Sequence, residues 1–199
     1  MESYVRKQSY NYQNLFPLFV ITTLLTHMKH ILFSLCFLVC AAWTSSAQNV
    51  SGSFHVITEQ DCVNLVVDFS EATIMGMSEE QFRLYEEDWI KDQPDIYARI
   101  RDAINEKLKG KLAVGEQKEA QYTLLVKVIS ISKRGEFLTN LYLIQNKEEG
   151  EQEQIGIVEE MKTKNKTGSA GTKLRSIKLQ AGILGDRIGY LLLKEYKKK

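Results

Sequence analysis

The chain has 199 residues, and 26 lysines and arginines stand against 25 aspartates and glutamates, for a formal net charge of +1. That balance excludes the basic surface that a nucleic-acid-binding protein gathers on one face. Three cysteines and three histidines are too few for a disulfide scaffold and leave little from which to build a zinc site.

Along the chain, the first 47 residues stand apart, with Glu2, Arg6, Lys7 and Lys29 as their charges and apolar runs at 15–25 and 31–43. From Met28 the stretch shows the three parts of a secretory signal peptide: the basic Lys29, an apolar centre, and small residues at Ser45 and Ala47. The reading is a signal peptide over 28–47 cleaved after Ala47, an over-called upstream extension over 1–27, and a single domain over 48–199, periplasmic or secreted. A membrane span needs about 18 apolar residues in a row, and the polar stretch 26–30 interrupts the two runs. Membrane attachment therefore requires an uncleaved leader. A lipid on Cys40 would need a small residue before it, and Val39 stands there. After cleavage only Cys62 remains, so the fold must rest on its apolar core.

Strand and helix patterns then follow in order. The run 54–58, FHVIT, predicts a short strand, and 64–74, NLVVDFSEATI, a strand apolar enough to be buried on both faces. Ser78 and Gln81 form a capping-box pattern that opens a helix burying Phe82, Tyr85 and Trp89 and stopping before Pro94. Ile96, Ile100, Ile104 and Leu108, four apart, line one face of a second helix that Gly110 ends. Leu124, Val126 and Val128 alternate with Leu125, Lys127 and Ile129 in a strand over 121–132. The stretches 136–145 and 155–164 complete a three-stranded meander around a charged hairpin loop at 146–154. Leu174, Ile177, Ala181, Leu184, Ile188 and Leu191 define a last helix of about five turns. The expected fold is α+β: a largely antiparallel sheet of about four strands packed by helices, in the order β-α-α-β-β-β-α, with the first strand beside the meander.

The combination of an export signal with LVVDFSEATI, AINEKLKGKL, QYTLLVKVISIS and a closing AGILGDRIGYLLLKEY resembles the periplasmic TolB amino-terminal-like domains. It is also similar in arrangement to the penicillin-binding-protein activator lipoproteins. The likeness covers most of 54–196 and is one of pattern. It implies a non-enzymatic envelope domain that binds another envelope protein; no functional residue carries over.

The reactive side chains point the same way. KNKTGSAGTK at 164–173 resembles a phosphate loop in composition, but Gly168 and Gly171 are too close, and leucine follows Lys173 where serine or threonine is required. His55 and Cys62 are the sole histidine and thiol after cleavage, seven positions apart near the mature terminus, whereas a reactive thiolate needs a site that lowers its pKa and a partner base. The acidic loop 146–154 lacks the ligand spacing of a calcium site. Asp68 and Glu71 form the best carboxylate pair, on which the rival reading, an unrecognised carboxylate-dependent hydrolase, would rest. No cofactor, metal ligand or catalytic residue is assigned. Gly182, Gly185 and Gly189 each cost about 1 kcal/mol relative to alanine inside the last helix. Their spacing marks a strip for close packing, against the chain's own backbone or against an interface.

Overall fold

In the computed structural model, which describes residues 49–147, 150–164 and 172–198, the chain enters the sheet through a three-residue edge strand, β1 (Val50–Gly52). The stretch 54–58 is not the expected strand: His55–Glu59 is a turn of 3-10 helix. Phe54 and Ile57 lie three apart, which eclipses them on one side of such a helix, and both are buried. β2 (Cys62–Asp68) follows. It is shorter than 64–74 and buried on one face, because Val63 and Leu65 enter the core while Val66 is 39% exposed. Ser70 and Glu71 turn the chain into the small hairpin of β3 (Thr73–Ile74) and β4 (Met77–Ser78).

The capping box is present on α1 (Glu79–Tyr85): Ser78 Oγ accepts from Gln81 N, and Gln81 Oε1 accepts from Ser78 N. This helix ends at Tyr85, earlier than the pattern suggests. Phe82 is buried, Tyr85 is exposed, and Trp89 opens the next helix, α2 (Trp89–Leu108). Pro94 does not stop that helix. It sits near the start, where its missing N–H deprives only the Ile90 carbonyl of a partner, and Ile90 is exposed to water. Ile96, Ile100, Ile104 and Leu108 are fully buried, as their spacing requires. Lys109 closes the helix in the left-handed conformation (φ 52°), followed by Gly110 at φ 78°.

β5 (Ala113–Gly115), β6 (Tyr122–Ile131), β7 (Phe137–Asn146) and β8 (Gln152–Lys162) complete the sheet, and α3 (Lys173–Glu195) covers it. Among the described residues the sheet has eight strands, not about four, and their sequence departs from β-α-α-β-β-β-α. The additional strands are β1, β3, β4 and β5, each of two or three residues; such short segments carry no periodicity to read. The spatial order is β1-β8-β7-β6-β2-β5. The β6–β7–β8 meander and β1 are antiparallel, whereas β2 runs parallel to β6 and β5, and β3 extends the same line beside β6. At the β5 edge, Asn105 donates to Val114 O (2.7 Å) and accepts from Val114 N (2.9 Å), occupying backbone groups that would otherwise invite another strand.

The two long helices run side by side in the same direction. Lys178 meets Asp92 and Asp95 near their starts, and Gly189 meets Ile104 and Lys107 further on. Their buried residues join those of α1 and one sheet face in a single core. The leader at 28–47, the preceding stretch and the glycines 168 and 171 lie outside the described residues.

Candidate functional site

Strand alternation gives the sheet a second face, and the register shows what it carries. Val66, Leu125, Tyr142 and Ile157 stand opposite one another on β2, β6, β7 and β8, with Ser51 of β1 next in line. None of these belongs to the core beneath the helices. Val66 and, further along β6, Ile129 are exposed, and Leu125, Tyr142 and Ile157 are half-buried. An uncharged row therefore crosses five strands on the face away from the helices.

Polar rows flank it on both sides. Asn64, Thr123, Ile144 and Gln154 form one. Here Thr123 Oγ1 accepts from Asn64 Nδ2 (3.3 Å) and from Asn146 Nδ2 (3.0 Å), while Gln152 Nε2 donates to Asn146 Oδ1 (3.3 Å). Asn64 Oδ1 also takes the amide of Gln117 (3.0 Å). These groups line a shallow hollow of about 230 Å³ with Lys118 and Lys147 at its rim. Because the amides satisfy one another, they read as a clamp between strands.

Asp68, Lys127 and Asn140 form the other row. Lys127 Nζ lies 2.6 Å from Glu71 Oε2, and that hydrogen bond and charge hold its ammonium above the ordinary lysine range. Asp68 Oδ1 accepts the amide of Ser70 (2.9 Å). The carboxylates of the rival reading are thus brought to one corner, but Lys127 ties up Glu71 and a turn occupies Asp68. Asn140 donates to the Tyr142 hydroxyl (3.3 Å) and accepts from Glu160 N (2.9 Å), steadying a bulge where Glu160 adopts φ 51°.

The remaining residues singled out above fall elsewhere. His55 lies in the 3-10 helix and Cys62 begins β2; no hydrogen bond joins them among the described residues. Among the described residues there is also no group of three or more acidic, histidine or cysteine side chains placed to hold a metal, and no helix long and apolar enough to cross a membrane. Of the three glycines, Gly185 and Gly189 face α2. A Cβ on Gly185 would overlap the Ile100 carbonyl oxygen and lie 2.8 Å from Ala103 Cβ; one on Gly189 would lie 2.7 Å from Lys107 Cβ. Gly182 differs, since a Cβ there would meet nothing within 4 Å.

The described residues therefore form a two-layer domain, helices on one side of a mixed sheet and a largely uncharged sheet surface on the other. No family model, curated protein or solved structure matches the chain.

The open face is easily missed in the sequence because Val66 and Leu125 are as apolar as the core residues beside them. The signal that was available is Lys127: a charged residue in mid-strand marks its whole alternation set, Leu125 and Ile129 included, as facing away from the core.

Proposed function

We propose that this chain is an exported envelope domain that works by binding another protein, and that it binds through the open sheet face rather than by catalysis. The observation that carries this is the uncharged row Val66–Leu125–Tyr142–Ile157, assembled from four strands on the side away from the helices. An apolar surface rimmed by polar groups is the usual mark of a protein-interaction site. The resemblance to TolB amino-terminal-like domains and the signal-peptide pattern at 28–47 support the envelope location. The pairing of Glu71 with Lys127 disfavours acid–base chemistry at the Asp68–Glu71 corner, since a carboxylate held by a lysine is a poor proton acceptor.

The test is crosslinking in the native host, capture of the protein, and sequencing of the captured chain. Its amino terminus should be Gln48. Leu125→Lys should abolish capture of a partner while melting stays close to wild type, and His55→Ala and Cys62→Ser should leave capture unchanged. A folded His55→Ala or Cys62→Ser chain that loses its cellular activity, or a folded Leu125→Lys chain that captures normally, overturns the reading.

A further inference from the structure

Resting on the export reading proposed above, we infer that the mature chain begins with a pyroglutamate made from Gln48, and that this ring protects the sheet's outermost strand from aminopeptidases. Cleavage after Ala47 makes Gln48 the first residue. That one residue then holds both a free α-amine and a primary carboxamide. The amine nitrogen attacks the carboxamide carbon Cδ, and the Cδ–Nε2 bond breaks. The departing nitrogen takes a proton from the attacking amine and leaves as ammonia, and a lactam remains. Nothing is oxidised or reduced, so the step needs no cofactor. α-Amino groups titrate near pH 8, so roughly a tenth of them are the neutral nucleophile at pH 7.

The fold gives the ring something to protect. Asn49, the next residue, already belongs to the sheet: its carbonyl accepts the Glu159 amide at 3.0 Å. Val50, Ser51 and Gly52 of β1 then stand opposite Val158, Ile157 and Gly156 of β8. Ring closure turns bonds of residue 48 alone and leaves that ladder as it is. Asn49 and the whole of β1 are exposed, so a cyclising enzyme can reach the chain there, and so can an exopeptidase.

The two edges of the sheet are covered differently. At one edge Asn105 occupies Val114 N and O. At the other, β1 itself is the cover over β8, and it is three residues long. A strand that short is erased by a few cycles of amino-terminal trimming. Its loss would bare the backbone groups of Gly156–Val158, and an uncovered strand edge recruits other chains. Aminopeptidases grip the free α-amine, which a lactam does not have. The ring therefore stops trimming at its first step, and it also removes the terminal positive charge.

The test labels free amines on the intact protein, recovered from its native host, before digestion and mass spectrometry of the amino-terminal peptide. That order keeps ring closure during work-up from being counted. The peptide should begin at Gln48, unlabelled and lighter by one ammonia. Gln48→Ala has no carboxamide to close on, so its peptide should begin at the same position and carry the label. A broad-specificity aminopeptidase should strip β1 from the Gln48→Ala chain roughly tenfold faster than from wild type, or more. A labelled wild-type peptide beginning at Gln48 overturns the ring and leaves export and cleavage standing. A peptide beginning at any other residue overturns both. Equal trimming of the two chains overturns the protective role.

Discussion

Gln180 is the residue at which this fold departs most from ordinary rules. It is fully buried on α3, yet neither its amide nitrogen nor its carbonyl oxygen has a hydrogen-bond partner. A buried amide without partners costs about 1–3 kcal/mol of desolvation that nothing returns. Gln180→Met keeps the shape and removes both polar atoms, so it should raise stability by about 1 kcal/mol. Equilibrium denaturation checks this, and a loss of stability would show that the amide is bonded in solution. Thr58 Oγ1 is likewise buried without a partner among the described residues, whereas Thr163 Oγ1 accepts the amide of Phe137 at 2.9 Å and Thr139 Oγ1 donates to Met161 O at 3.4 Å. Trp89, also fully buried, donates its indole N–H to Glu79 at 2.9 Å and packs edge-on against Phe69 and Phe82. Trp89 was legible as a core residue, but its partners were not, since Glu79 reads as a solvated helix-start acid until the chain brings it over the indole.

At the scale of elements, the α2–α3 contact explains two of the three helix glycines and separates them from the third. Gly185 and Gly189 let the backbones approach until no Cβ fits, while Gly182 faces open space. Gly185→Ala should therefore lower stability by about 1–3 kcal/mol, because the helices must part to admit a methyl group. Gly182→Ala should raise it by roughly 0.5–1 kcal/mol through helix propensity alone. Thermal melting of the pair decides the matter, and equal effects would mean that the close approach is wrongly placed. The meander was legible from β6 to β8 because each strand is long enough for alternation to repeat. The α1–α2 break was not: Phe82, Tyr85 and Trp89 suit one continuous helical face, and only the packing of Phe82 against Trp89 requires the chain to turn between them.

For the whole molecule, Lys178 links the first two turns of the two long helices through Asp92 and Asp95, each at 2.9 Å. Hydrogen bonding from Lys178 holds the Asp95 carboxyl below its ordinary value. Stability from that group is present above the ordinary carboxylate range and is lost as pH falls through the lowered value. The same bonds, from Asp92 and then Asp95, raise the Lys178 ammonium above its ordinary value. Its contribution is complete below the ordinary lysine range and is lost as pH rises through the raised value. Lys178→Met should thus lower melting temperature in the neutral region, where both contributions are present, and so flatten its fall toward the acid and alkaline limbs, where they are already lost. A profile identical to wild type would show that the ion pair contributes nothing to the folded state. At the far end of α3, the Tyr196 hydroxyl lies 3.2 Å from both Ile57 O and Lys111 O, joining the last helix to the first turn of the domain.

What the sequence determined by itself was everything that repeats with a period: the buried stripe Ile96–Ile100–Ile104–Leu108, the alternation of β6, the meander, and the long last helix. These depend on residues a few positions apart, whose faces are set by helix or strand geometry alone. Tertiary structure decided which strands lie side by side, and with that the parallel pairing of β2 with β6 and the docking of two-residue strands that have no pattern of their own. It also decided that, among the described residues, helices cover only one side of the sheet. Val66 and Leu125 are as apolar as Leu65 and Leu124, and apart from the charge at Lys127 the local sequence records only that each pair alternates. Which member meets water is settled by where α2 and α3 lie down, through contacts between residues far apart in the chain.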